Sequence, residues 1–317
     1  MNSKMQPVPK LQSHTNSHYR GRSGGLPGAA GAQRRQSGRA AGIAQKLRML
    51  RVHIVLLPAI IVASFPILLV FINSLKTREA IFSSPLSLPA AETFSIRGFE
   101  IVVQRSNFLL YYLNSTLVTV TSIFLILLFG AMAAWALSEY RFRSNRPLGL
   151  YLTIGIMIPI RIGTVAILRL MVSLGLVNTL LSLILVYTAQ GLALTVFVLH
   201  QFMSQIPRSI KDAARIDGAS EYGIFALILP MVRPALATVA IFTLIPVWND
   251  LWFPLILAPS NRTKTVILGA QEFLGQFVTD WNSVLASLSL AIIPVLIIYI
   301  IFSRQLLEGL TAGALKQ

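Results

Sequence analysis

Six apolar runs, at roughly 52–73, 108–137, 148–170, 179–202, 231–257 and 284–303, constrain this chain more than any other feature. Each is close to the ~20 residues that a helix needs to cross the hydrocarbon core of a bilayer. A helix satisfies its own backbone groups in lipid, so such runs predict an all-α polytopic membrane protein with about six transmembrane helices. The charge content agrees. Asp, Glu, Lys and Arg make up 12% of the 317 residues, whereas a soluble domain carries about twice that share. The second run is long enough to tilt or to project beyond the bilayer.

The net charge of +16 would suggest nucleic acid in a soluble chain. Here ten of the 27 Lys and Arg fall in the first 51 residues, which hold no Asp or Glu. That placement fits a tail beside anionic lipid and no nucleic-acid partner. Residues 1–48 read as a disordered basic cytoplasmic tail, rich in Gly, Ser, Gln and Arg and too poor in apolar side chains to fold alone. Residues 49–317 read as one transmembrane domain. The first apolar run outlasts the about 7–15 residues of a signal-peptide core, and no small-residue cleavage pattern follows it, so it reads as a retained span. With the tail inside, both termini are cytoplasmic, and 19 Lys and Arg lie on the inner side against 8 elsewhere, as the positive-inside rule requires. Residues 74–107, with Pro85, Pro89 and three acidic residues, form an external segment too short for a domain of its own. The chain has no cysteine, which excludes disulfides and thiolate metal sites.

Between the fourth and fifth runs lies an amphipathic segment, 204–230. Pro207 suits the start of a short helix, where its missing N–H is no loss. Ile206, Ile210, Ala213 and Ala214 recur at helical spacing, and the two alanines leave a face that another surface can approach closely. Gly218 suits a helix C′ position of positive φ. Tyr222, Phe225, Ala226 and Leu229 predict a second apolar face at i, i+3, i+4 and i+7, and Pro230 and Pro234 mark where the fifth span begins. From periodicity alone, an interfacial loop lying on lipid and a docking lever are equally open.

Asp212-Ala213-Ala214, three residues, Gly218, and then Leu229-Pro230 resemble the cytoplasmic coupling loop of the membrane subunits of binding-protein-dependent ABC importers. Asp stands where that pattern has Glu. Eleven residues separate Gly218 from Pro230, one fewer than in the pattern, and one residue turns a helix by about 100°. Either the helix re-registers against the fifth span or coupling is impaired; Gly223 would permit local adjustment. Ser173-Leu174-Gly175-Leu176-Val177-Asn178-Thr179, Trp248-Asn249-Asp250 with Trp252 and Pro254, Thr279-Asp280-Trp281, and Gly309-Leu310-Thr311-Ala312-Gly313-Ala314 look like motifs of the carbohydrate-uptake permeases. This resemblance covers residues 108–317 and is similar to the smaller membrane subunit of the maltose transporter. It implies the type I ABC importer permease fold. It further implies ATPase coupling through Asp212, Ala213, Ala214, Asp217, Gly218, Leu229 and Pro230. The implied partners are a second permease subunit, most simply in a heterodimer, two cytoplasmic ABC ATPases, and an extracytoplasmic solute-binding protein. ATP and Mg would bind the ATPases, leaving this chain without a cofactor.

A substrate path needs polar and aromatic groups, and Trp248, Asn249, Asp250 and Trp252 supply both near the outer end of the fifth run. An aromatic belt at the membrane interface is the competing reading. Arg161 lies deep in the third run beside Pro159, where a charge normally faces a cavity or a bundle interior. Arg169 can snorkel to the outer interface. Asn114, Ser115 and Thr116 suit hydrogen bonds between helices. There is no Gly-rich phosphate loop, His-Glu-x-x-His pair or nucleophile elbow, and the four His residues (His14, His18, His53, His200) are scattered. The residues thus offer no enzyme site, and the resemblance implies a transport subunit of the cytoplasmic (inner) membrane. An ion-coupled secondary transporter is the alternative; it needs ionisable groups within the spans, and Asp250 is the only acidic one clearly inside an apolar run.

Overall fold

The computed structural model describes residues 52–54, 56–105, 107–274 and 279–314, and the chain falls into two units, 1–64 and 65–317. The basic tail through residue 48 lies outside the described residues, as do the side chains of Gly309 to Ala314. Among the described residues the fold is helical, with one isolated antiparallel bridge between Lys76 and Phe94. Helix α1 runs Val52–Ser74 and crosses the boundary between the units.

Within the second unit, two short helices, α2 (Arg78–Ser83) and α3 (Arg97–Arg105), precede the first long one, α4 (Phe108–Glu139). At about 1.5 Å per residue its 32 residues span about 48 Å, which exceeds the about 30 Å hydrocarbon core. The helix is thus long enough to tilt or to extend beyond the bilayer. After it come α5 (Asn145–Met157), a 3₁₀ turn Ile160–Gly163, α6 (Thr164–Ser173) and the unbroken α7 (Leu180–Ser204). Then follow α8 (Arg208–Ile216), α9 (Glu221–Ile228), a 3₁₀ turn Leu229–Val232, α10 (Arg233–Trp248), α11 (Trp252–Leu257), α12 (Val266–Ala270) and α13 (Trp281–Ala314).

Two runs depart from simple spans. The third is bent by 89° between Asn145–Met157 and Ile160–Ser173. Proline disfavours the helical region for its predecessor and donates no hydrogen bond, and both Ile158 and Pro159 sit at ψ 117. The fifth begins at Glu221, ten residues before the apolar run, continues as one apolar stretch to Trp248, and breaks before α11. Its break exposes polar groups in an apolar run, which makes it a feature of the site described below.

Three apolar clusters hold the elements together. One joins Trp135 and Ala134 of α4, Leu199 and Met203 of α7, Ala214 of α8, and Ile224, Ile228 and Val232 along the α9–α10 stretch. A second gathers Val118, Met171, Leu183, Tyr187, Phe253 and Leu257 around the two helix breaks. The third packs Val102, Phe108, Trp248, Val266, Ala286 and Ala291. Small residues let α4 and α7 approach closely. A Cβ on Gly130 would collide with Thr195, and one on Gly191 with Ile126, a contact type that favours association where lipid removes the hydrophobic drive.

Candidate functional site: a helical elbow and a polar cluster at two helix breaks

Helix α8 starts at Arg208 with Pro207 as its N-cap, as the sequence predicts. It ends in a closed motif: the N–H of Gly218 bonds Arg215 O at 3.1 Å and that of Ala219 bonds Ala214 O at 2.9 Å. This pairing satisfies the last carbonyls and needs a left-handed residue, and Gly218 supplies it at φ 82. Ser220 then caps α9 by accepting the N–H of Gly223. The result is a short helix, a fixed elbow and a second helix that merges into a span.

The buried faces differ from those read in the sequence. Ala214 is turned into the core, while Ala213, Asp212, Asp217 and Gly218 lie open. On α9 the buried positions are Ile224 and Ile228, with Phe225 and Leu229 half-buried, and Tyr222 and Ala226 face out. The predicted face was offset because Tyr222 shares its helical spacing but not the cluster that Ile224 joins. Two large apolar side chains stand unpartnered at the elbow, Ile216 at 85% and Tyr222 at 86% exposure.

Sequence reading missed the charges that fix this elbow. Lys211 Nζ meets Glu139 Oε2 at 2.7 Å, and Arg215 reaches Glu139, Asp212 and Glu221 at 2.6, 3.2 and 3.1 Å. Tyr140 donates its hydroxyl to Glu221 at 2.8 Å. Hydrogen bonds to Glu139 and Glu221 raise the Arg215 guanidinium above its ordinary range, and the Glu221 carboxylate with burial pushes the Tyr140 phenol up. The available signal was Glu139, an acid ending a long apolar run; its partners lie 72 and 76 residues on and carry no local spacing.

The second group forms where the two broken runs face each other. Asp250, 9% exposed, accepts the Tyr187 hydroxyl at 2.9 Å and the N–H groups of Trp252 and Phe253 at 3.2 and 3.1 Å. Arg161 Nη2 lies 3.5 Å from Asp250 Oδ1, the oxygen that also accepts the Trp252 N–H, with 67% of the Arg161 side chain exposed. Trp252 donates Nε1–H to Thr164 at 3.0 Å, and Asn249 is exposed and bonds Ile245 O. Trp248 is not with them. It is buried, donates Nε1–H to Ala291 O at 3.0 Å and meets the edge of Tyr112, so it packs α10 on α13. An exposed guanidinium facing lipid at the centre of a bilayer costs about 2.5–3.5 kcal/mol.

Several other motif residues are structural. Asn114 donates to Arg262 O and Lys264 O at 3.0 Å each, and Ser115 accepts the Val266 N–H at 2.8 Å; both tie α4 to the loop after α11, while Thr116 bonds within its own helix. Asn178, at φ 61, donates its N–H to Leu257 O at 2.7 Å and accepts the Ser260 N–H on Oδ1. Asp280 caps α13 by accepting from Ser283. Arg169 is exposed.

Residues 126–310 match the family described as the binding-protein-dependent transport system inner membrane component. The chain belongs to that family. This permease is 31% identical over 80% of its length to the arabinooligosaccharides transport system permease protein AraQ of Halalkalibacterium halodurans, covering 92% of that relative. It is 30% identical over 83% of its length to the diacetylchitobiose uptake system permease protein NgcG of Streptomyces coelicolor, covering 88% of it. Its fold matches a chain of a bacterial ABC transporter involved in alginate import with a TM-score of 0.67 at 22% identity, over 84% of this chain and 97% of that one. The permease is thus a multi-pass inner-membrane transport subunit of the ABC importer type and not an enzyme; its family works with a solute-binding protein and ATPases.

Proposed function

We propose that this permease is one membrane half of an ATP-driven importer for a sugar or oligosaccharide. The relatives named for arabinooligosaccharides and diacetylchitobiose support the substrate class. In this reading both termini are cytoplasmic, the basic tail lies against anionic lipid, and a second, different permease subunit completes the path. ATP and Mg bind the ATPases and not this chain.

The α8–α9 elbow is the ATPase contact, with Asp212, Ala213, Asp217 and Gly218 on its open side and Ala214, Leu229 and Pro230 setting its angle. The observation that carries this is the pair of unburied apolar side chains, Ile216 and Tyr222, on an elbow whose other face is locked into the core. A lone exposed residue needs no explanation, but two large ones on a rigid turn suit a docking patch. Arg161, Asp250, Asn249 and Trp252 border the sugar path, offering donors, acceptors and one aromatic face.

The test is a detergent pull-down of the tagged permease with its ATPase, as wild type, Gly218→Asn and Gly218→Val. Asn tolerates a left-handed backbone and a β-branched residue does not, so the ATPase follows the wild type and Gly218→Asn and is lost with Gly218→Val. Retention by all three overturns the elbow as the contact. Uptake of labelled arabino- and chito-oligosaccharides by proteoliposomes of the whole transporter tests the substrate class; transport of neither overturns it.

A further inference from the structure

We propose that Glu139 and Lys211 are positioning residues that lock α8 to the end of α4, so that the two helices move as one body when the transporter changes state. The inference rests on the coupling role given above to the α8–α9 elbow.

The contact has matched helical spacing on both sides. On α4, Trp135 and Glu139 are one turn apart; on α8, Lys211 and Arg215 are one turn apart. Lys211 Nζ meets Glu139 Oε2 at 2.7 Å and lies 5.2 Å from the centre of the Trp135 ring, so α4 holds the ammonium by both a charge and a π face. Arg215 Nη2 takes the other Glu139 oxygen at 2.6 Å. The side chains of Lys211 and Glu139 are only 5% and 12% exposed. Charges that have left water are held by their partner, since either one alone would be uncompensated. The exposed Asp212–Arg215 pair on the same helix lacks that constraint, because water can replace either partner.

The position of α4 gives the lock a consequence. Its other end holds the 262–266 loop through Asn114 and Ser115, and Gly130 seats it closely on α7. A displacement applied to the open side of α8 therefore passes into one long rod and is not absorbed by the loop Tyr140–Ser144. Without the Glu139–Lys211 pair, α8 would remain tethered by Ala214 and by the more exposed Arg215, which alone would still reach Glu139 in Lys211→Met, and could shift against α4.

The chain has no cysteine, so spin labels placed on Met132→Cys of α4 and Ser209→Cys of α8, both exposed positions, and attached before this chain is assembled with its partners, report the distance between these helices without background from native thiols. The measurement is made on the assembled transporter with its ATPases, nucleotide-free and with ATP and vanadate. The wild type and Lys211→Arg give one narrow distribution that does not shift between the two states. Lys211→Met and Glu139→Gln broaden it or make it shift with nucleotide, while the ATPase still co-purifies. The lock is overturned if the wild-type distance moves with nucleotide, if the neutral variants keep the narrow distribution, or if Lys211→Arg behaves as Lys211→Met does. Where a neutral variant fails to assemble, the wild-type comparison between nucleotide states decides. A wild type that brings down no ATPase instead overturns the coupling role itself, a separate outcome seen before any distance is measured.

Discussion

Tyr187 of α7 donates its hydroxyl to Asp250 at 2.9 Å, joining the middle of an unbroken span to the break in another. Two N–H groups freed by that break, on Trp252 and Phe253, bond the same carboxylate. Asp250 thus satisfies backbone donors that apolar surroundings would leave unpaired. Asp250→Ala strands three donors at once and, at about 1–3 kcal/mol for each one left unpaired, is expected to cost about 3 kcal/mol or more. Tyr187→Phe removes one donor and is expected to cost about 1–3 kcal/mol. Thermal unfolding in detergent checks the order: wild type highest, Tyr187→Phe lower, Asp250→Ala lowest. The reverse order for the two variants would remove Asp250 as the anchor of the break.

Arg161 makes the opposite prediction. Its contact to Asp250 is single, long at 3.5 Å, and formed by a side chain that is 67% exposed, a geometry worth about 0–1 kcal/mol. Arg161→Gln should leave the unfolding temperature near that of the wild type while lowering the initial rate of sugar uptake in proteoliposomes. Unchanged uptake would take Arg161 off the path, and a loss of stability matching Asp250→Ala would make it structural.

Lys76 is fully buried and, among the described residues, meets no carboxylate. Its ammonium donates to Asn73 Oδ1, Ser84 O and Pro85 O at 3.2, 2.8 and 3.3 Å, and Asn282 donates to its carbonyl at 2.7 Å. It therefore staples the 74–85 segment from within. Lys76→Met should cost about 1–3 kcal/mol by leaving carbonyls unpaired and should speed proteolysis within that segment. A cleavage rate equal to that of the wild type would show that α2 is held by other contacts.

Long elements were legible because lipid leaves a spanning backbone few options, and α4, α7 and α13 follow from apolar length alone. The turn at Gly218 and the start of α8 were also readable, since a left-handed C′ residue and a leading proline each have one local cause. What spacing could not provide was the partner of each polar group. The reach of Asp250 to Tyr187 crosses 63 residues and that of Lys211 to Glu139 crosses 72. Pairings at that separation are decided by which helices pack together. The burial of Trp248 has the same origin: the two residues after it are polar, but α13 covers it.

The sequence shortfall of one residue between Gly218 and Pro230 finds a geometric answer in the 3₁₀ turn Leu229–Val232. A 3₁₀-helix turns about 120° and rises about 2.0 Å per residue, against about 100° and about 1.5 Å for an α-helix. From Ile228 to Arg233, four 3₁₀ steps and one α step give about 580° and about 9.5 Å, whereas six α steps give about 600° and about 9.0 Å. The tighter winding thus recovers the register that the missing residue would lose, and Ile224, Ile228 and Val232 all stay in one cluster. Inserting one alanine between Ile228 and Leu229 should therefore be tolerated, because the turn can relax to α with an error of only about 20°. Inserting two should not, since no slack remains and Ile224 and Ile228 would rotate out of the core by about 120°. ATPase co-purification and unfolding temperature for the two insertions check this: near wild type for one, strong loss for two. Equal damage from both would show that the turn is dictated by Pro230 and cannot absorb a residue.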